Sequence, residues 1–269
     1  MQAHPLQHFA ASYAKDSPFT TKGLRTFWEY RDLGVAAATH GRFRAQVLRA
    51  TRPSPPGGTG WHFHALEFQL YYVLRGFLRT QVEGQGELTF RAGDAFMQPP
   101  GTWHNVVSFC EELEMLELVS PADIGTVAGD PGAADAPLPP ASAQRFTASY
   151  AERSPFERGL RAYFEYRDLG TRQGSGGLVQ AHVLRAANPC PPEGTGWHYH
   201  QVDFQLVYVL QGSITSHLEG QGELTFGAGD CWLQPPGIRH CVKAYSDDLA
   251  QIEVVSPADF ATVDVANGG

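Results

Sequence analysis

The chain has 269 residues, of which 42% are hydrophobic and 18% charged, and its formal net charge is −8. That balance supports real cores and argues against disorder. An acidic chain without a Lys/Arg cluster is not expected to take nucleic acid or an anionic membrane as its main partner. No apolar stretch is long enough to span a bilayer, and the residues after Met1 show no basic region leading into an apolar run. A cytoplasmic location is the expectation.

Along the chain, residues 9–14 (FAASYA) return as residues 146–151 (FTASYA), and Ser17-Pro18-Phe19 returns as Ser154-Pro155-Phe156. From Gly23 and Gly159 onward the two copies stay in register to Ser120-Pro121-Ala122-Asp123 and Ser256-Pro257-Ala258-Asp259. Within each copy the signals are strand-like. Residues 44–49 and 69–74 are rich in β-branched and aromatic side chains, and Gly and Pro punctuate the copy at intervals of about eight to twelve residues, as in a sandwich or barrel. Gly84-Gln85-Gly86-Glu87 and Gly220-Gln221-Gly222-Glu223 read as hairpin loops. Residues 18–25 and 120–127, with their counterparts, are the only candidates for short helices. Residues 127–144, rich in Ala, Pro, Gly and Asp, read as a linker between domains 1–126 and 145–269, and the tail from Ala266 is expected to fray. Cys110, Cys190, Cys231 and Cys241 do not recur between copies, as a disulfide framework would, and are expected to be free thiols.

The chemistry lies in a histidine constellation that appears twice. His62, His64, Gln69 and His104 recur 136 positions later as His198, His200, Gln205 and His240. Two histidines two apart on a strand share a face. A Gln on the following strand and a His after a Pro-Pro-Gly turn could converge on them inside a barrel. Imidazole is the commonest ligand of Zn, Fe, Ni, Mn and Cu, and three of them with open coordination positions suit a catalytic metal site. The competing reading, satisfied core histidines in a metal-free barrel, is disfavoured by the spacing and the duplication.

These motifs resemble those of the cupin superfamily, specifically its two-domain bicupins. The first family motif is a glycine, His-x-His, a Glu and a closing Gly; His62, His64, Gln69 and Gly76 match it, as do His198, His200, Gln205 and Gly212. The second is met by Gly93, Pro99, Gly101 and His104, and by Gly229, Pro235, Gly237 and His240. The pattern departs at Pro56 and Pro192, where the family has glycine, and at Ser108 and Ala244, where it has asparagine. The consequential departure is Gln for Glu at 69 and 205. A neutral amide should leave a divalent ion's charge uncompensated, acidifying bound water and disfavouring oxidation of the metal.

The resemblance implies an all-β fold of two tandem jelly-roll barrels, each with a divalent transition metal in its mouth. Fe(II) is the first expectation, with Mn, Ni or Zn as alternatives. It implies a metal-dependent enzyme acting on a small organic molecule, first an oxidoreductase of the dioxygenase type. A non-redox lyase, isomerase or cyclase is the alternative, and a metabolite-binding or sensory protein a third reading. A small-molecule substrate is the expected partner, with a homodimer as an open option.

Glu67 and Asp203, two positions before each Gln, are candidate general bases or carboxylates behind the ligands. Arg49 and Arg185 could clamp a substrate anion but suit a structural ion pair better, and Glu117 and Glu253 recur near the end of each copy. His182 and His217, in place of Gln46 and Gln81, could line the second pocket alone. Five further differences set the pockets apart: Phe63 against Tyr199, Tyr71 against Val207, Gln81 against His217, Phe96 against Trp232 and Trp103 against Arg239. Loss of a Tyr and gain of an Arg should make the second pocket roomier and more attractive to anions, and hence the main active site.

Overall fold

Strand Phe68–Arg75 shows why the sequence folds as it does. Its residues are β-branched, aromatic or long, and it lies in the middle of a sheet, hydrogen-bonded antiparallel to Ala95–Gln98 on one side and to Glu114–Ser120 on the other. The computed structural model describes residues 7–133, 135, 142–159 and 161–266. Among them the regular secondary structure is almost entirely antiparallel strand, divided between two compact units. No described helix is long and apolar enough to cross a membrane.

The unit of the first repeat comprises the described residues of 18–153 together with 174–176. Its six-stranded sheet runs in the order Thr147–Ser149, Ala95–Gln98, Phe68–Arg75, Glu114–Ser120, Arg44–Ala50, Trp28–Asp32. Its five-stranded sheet runs Gly125–Ala128, His62–Ala65, His104–Phe109, Phe77–Val82, Gly86–Arg91. The second unit repeats the plan. One sheet has seven strands, in the order Ala10–Ser12, Cys231–Gln234, Phe204–Gln211, Ala250–Ser256, Gln180–Ala186, Phe164–Asp168, Glu157–Arg158. The other has five, Gly222–Gly227, Ser213–Leu218, His240–Tyr245, His198–His200, Thr262–Asp264. Two facing antiparallel sheets in this arrangement form the jelly roll. Phe68 and Phe90 in one unit, and Phe204 and Phe226 in the other, are fully buried between elements.

The compact units and the sequence repeats are not the same division of the chain. The edge strand Ala10–Ser12 opens the first repeat but pairs with Cys231–Gln234 of the second unit, and Thr147–Ser149 opens the second repeat but pairs with Ala95–Gln98 of the first. The Gly-Asp pair of the second motif anchors each of these strands. Asp230 Oδ1 accepts the Ala14 amide at 2.8 Å and Asp94 Oδ1 accepts the Ala151 amide at 2.8 Å. A side chain at Gly229 or Gly93 would crowd Ala14 or Ala151 at 3.2 and 3.0 Å, and both glycines have positive φ. Beyond the strand, Tyr13 stacks on Phe226 and Tyr150 on Phe90, each at 5.5 Å between ring centroids.

Three expectations need correction. Gly125–Ala128 is a strand on His62–Ala65, so residues 127 and 128 are not linker, and 120–127 is not helical. Of the remaining linker, residues 134 and 136–141 lie outside the described residues, as do 267–269 of the tail. In place of helix, residues 18–25 hold a single bridge, Thr20 to Tyr30. The helices are single turns, Val35–Ala38 and Thr171–Gly174, too short to show a 3.6-residue period. All four cysteines are free.

Because the Tyr13 ring covers Phe226, Tyr13→Ala should cost about 1–3 kcal/mol of the second unit's stability from lost apolar burial and ring stacking. Denaturant unfolding checks this; an unchanged midpoint would mean that the edge strand contributes nothing.

Candidate metal centres

In the first unit His62 and His104 are direct cross-strand partners, and His64 lies two residues from His62 on the same face. The three rings come to 4.2, 5.0 and 5.2 Å between centroids, and one ligand atom from each lies within 4.8 Å of the others. The second unit repeats this with His198, His200 and His240 at 4.3, 5.1 and 5.1 Å.

In both triads Nδ1 is taken up by an oxygen. His62 faces Gly60 O at 2.7 Å, His64 faces Thr126 Oγ1 at 3.0 Å and His104 faces Thr102 O at 2.9 Å. The counterparts are Gly196 O at 3.0 Å, Thr262 Oγ1 at 2.9 Å and Ile238 O at 3.1 Å. A proton fixed on Nδ1 leaves the Nε2 lone pair free for a metal and raises its basicity. Burial, the largest influence, pushes all six imidazoles below their ordinary value, His64 and His240 to about 3; Arg25 adds to this in the first triad. Neutral, pre-oriented imidazoles are what a metal requires. The triads are therefore two sites for a divalent transition metal.

Gln69 lies on the facing sheet and is buried. Its NH₂ donates to Glu117 Oε1 at 2.8 Å and lies 2.6 Å from the Tyr71 hydroxyl, which itself donates to Glu117 Oε1 at 2.8 Å. Gln205 NH₂ likewise donates to Glu253 Oε1 at 2.5 Å. With each nitrogen held by a carboxylate, which can only accept here, the carbonyl oxygen is the atom left for a metal. The sequence predicts that the neutral amide leaves the ion's charge uncompensated; in the structure a carboxylate stands directly behind it. Glu253 is held down to about 2; burial opposes this, and the His182 ring at 2.8 Å and the Gln205 amide outweigh it.

Glu67 and Asp203 are not brought to the site. Each is exposed and immediately precedes its strand, which starts at Phe68 or Phe204, so the strand-face argument that placed them inward does not apply. Glu67 accepts the Ser120 hydroxyl at 2.8 Å. The carboxylates at the centres are Glu117 and Glu253, which register with Tyr71 and Val207 across the sheet. Arg49 and Arg185 pair with Glu29 and Glu165 and lie over Phe19 and Phe156, which is the structural role. His182 is buried against Glu253, whereas His217 is half-exposed and packs on Trp197.

A cavity of about 300 Å³ opens at the first triad, and Gln98, Tyr71 and Glu117 share its lining with the three histidines. Cations line it too, Lys22, Arg25 and Arg44, beside apolar Trp28, Leu48 and Met115. The expected anion preference of the second pocket is not supported. Arg239 is tied to Glu219 at the surface, and its counterpart Trp103 is buried against Phe63 at 4.8 Å, away from the metal. The residue matching Arg44 is Gln180, and Arg161, which matches Arg25, pairs with Asp264 at 3.1 Å where the first unit has Ala128.

Duplicated jelly rolls with a His triad in each define a two-domain metal-site protein. The cupin domain family model matches residues 54–119 and 190–256. The chain belongs to the cupin superfamily, as a two-domain bicupin. No curated protein sequence matches it. Among solved structures, a variant of Bacillus subtilis oxalate decarboxylase OxdC is similar with a TM-score of 0.68 at 13% identity, over 98% of this chain and 81% of that one. Lactobacillus farciminis oxalate decarboxylase in its formate complex gives 0.66 at 13%, over 95% and 88%. A further B. subtilis structure, from work on the Mn(II) centres of that enzyme, gives 0.65 at 14%, over 98% and 81%.

Two outcomes are expected. Metal analysis should give about two ions per chain, and His62→Ala with His64→Ala should remove one and leave the other; unchanged content would contradict the first centre. In metal-free protein the unfolded chain takes up protons below the ordinary histidine value of 6.5, while the folded chain resists down to about 3 at His64 and His240. Stability should therefore be full above pH 6.5 and fall as the pH drops through the window below it. Melting temperatures across pH 5–7.5 test this, and a flat profile would count against it.

Proposed function

We propose that the chain is a metal-dependent lyase that decarboxylates a small carboxylic acid in the cavity of the first unit. The observation that carries this reading is the joint presence, in the lining of one cavity, of cations to hold a carboxylate and a Tyr71–Glu117 pair to handle a proton. Manganese is favoured over the Fe(II) expected first, in keeping with the Mn(II) centres of the similar B. subtilis enzyme. His62, His64 and His104 would hold the ion with the Gln69 carbonyl. Bound there, it would supply Lewis acidity toward a substrate oxygen.

The remaining work falls to the chain. Arg44, whose Nε is buried without a hydrogen-bond partner among the described residues, and Arg25 would hold the substrate carboxylate. When the carbon–carbon bond to that carboxylate breaks, the electron pair stays on the remaining carbon and must take up a proton. Tyr71, its hydroxyl pushed well above the ordinary value by burial and by Glu117, keeps its proton at neutral pH and shares it with Glu117 Oε1. The pair is therefore a proton source at the cavity wall. Trp28, Leu48 and Met115 would exclude water and favour a substrate with an apolar group beside its carboxylate.

The dioxygenase reading is second. It draws on the same open metal positions, but the amide ligand supplies no anionic charge to stabilise an oxidised ion. Incubating the Mn-loaded chain with a panel of small carboxylic acids, while following CO₂ release and O₂ uptake together, separates the two. CO₂ without net O₂ consumption is expected; stoichiometric O₂ uptake would replace the lyase reading with the oxidative one. Glu117→Gln should lower kcat by about 10²-fold or more, the usual worth of a positioned acid–base group. Arg44→Gln should act mainly on KM.

A further inference from the structure

The strand pairing sets a second glutamine opposite each candidate ligand amide. Gln98 registers with Gln69, and Gln234 with Gln205. Both are buried, at 2% and 3% exposure. Among the differences between their environments, one bears directly on the second amide. In the second unit the indole of Trp232 donates to Gln234 Oε1 at 2.9 Å. An indole N–H can only donate, so it fixes the amide orientation. Gln234 NH₂ is thereby turned into the site, where it reaches Gln205 Oε1 at 3.3 Å and lies 3.2 and 3.3 Å from the two ring nitrogens of His240. In the first unit Phe96 stands in place of Trp232 and has no N–H to offer. Gln98 lines the cavity with His62, His64 and His104, and its Oε1 is buried without a hydrogen-bond partner among the described residues.

A buried amide oxygen without a hydrogen-bond partner, on a residue that shares a cavity lining with three imidazoles, is costly unless something occupies it. The spacing at the matching amide of the second unit fits a metal. Two ligands of one ion, each about 2.1 Å from it at 90–109°, lie about 3.0–3.4 Å apart. The amide of Gln234 stands at that spacing from His240 Nε2, and the first triad has the same ring geometry. We propose that Gln98 is a further metal-ligating residue of the first centre, through Oε1, and that Gln234 is not a ligand of the second, because Trp232 keeps its carbonyl turned away. The first ion is then held by three imidazoles and two amide oxygens. At the second, Gln234 donates a hydrogen bond to the oxygen that would otherwise be the fourth ligand. The two centres differ in coordination number and affinity although their motif ligands are identical. This rests on the metal sites and not on the decarboxylase reading.

The test uses the full chain with one centre disabled at a time and Co(II) as probe, reading both dissociation constant and ligand-field spectrum. With His198→Ala and His200→Ala as background, Gln98→Leu should weaken Co(II) binding about tenfold or more and shift the spectrum toward lower coordination, within the usual effect of altering a metal's surroundings. Gln98→Glu, which keeps an oxygen there and adds charge, should tighten binding. With His62→Ala and His64→Ala as background, Trp232→Phe should strengthen binding by freeing Gln234, and Gln234→Leu should not weaken it. An unchanged spectrum and affinity for Gln98→Leu in a protein that melts normally would overturn the proposal, as would equal losses for Gln98→Leu and Gln234→Leu. If the parent bound no Co(II) at all, the metal centre itself would fall, and the role of Gln98 with it.

Discussion

The interaction on which both centres depend is the hydrogen bond from a glutamine amide to a buried carboxylate, Gln69 to Glu117 and Gln205 to Glu253. It joins two neighbouring strands of one sheet, fixes which end of the amide faces the histidines, and places a negative charge one residue further from the ion than a direct carboxylate ligand would. An amide whose N–H is held by a carboxylate is polarised toward its oxygen, so part of that charge reaches the metal through the amide. The replacement of Glu by Gln in the first motif is therefore a displacement of charge and not simply its loss.

Around this shared device the two units diverge by a few side chains. Glu117 is shared among Tyr71, Gln46 and Arg44, whereas Glu253 is bound by His182 at 2.8 Å, with Val207 in place of the tyrosine. The first centre thus keeps a phenol and a guanidinium at its cavity, and the second exchanges both for a His–carboxylate pair. Duplication preserved the ligands, and the residues behind them were free to differ.

Most of the fold and the triads were legible in the sequence, because the His-x-His spacing, the Pro-Pro-Gly turn and the 136-residue offset are local or repeated signals. Glu117 and Glu253 were visible only as recurring residues, since their importance lies in a cross-strand register that no linear pattern displays. Glu67 and Asp203 misled because alternation was extended one residue beyond the start of a strand. Of the five differences expected to set the pockets apart, Tyr71 and Phe96 line the first cavity, whereas Phe63 packs on Trp103 and Arg239 pairs with Glu219; Phe96 against Trp232 differs by an indole hydrogen bond.

The borrowed edge strands bear on how the protein is made. Residues 10–12 are synthesised more than two hundred residues before their partner strand, Cys231–Gln234. At ribosomal rates of about 5–20 residues per second, that leaves an unpaired strand and the Tyr13 ring exposed for about ten seconds or longer. The first unit has no such wait beyond Thr147–Ser149, which follows directly on its own barrel. Vectorial synthesis thus favours completion of the first barrel while Ala10–Ser12 is still waiting for the second, so that strand is among the last to find its place.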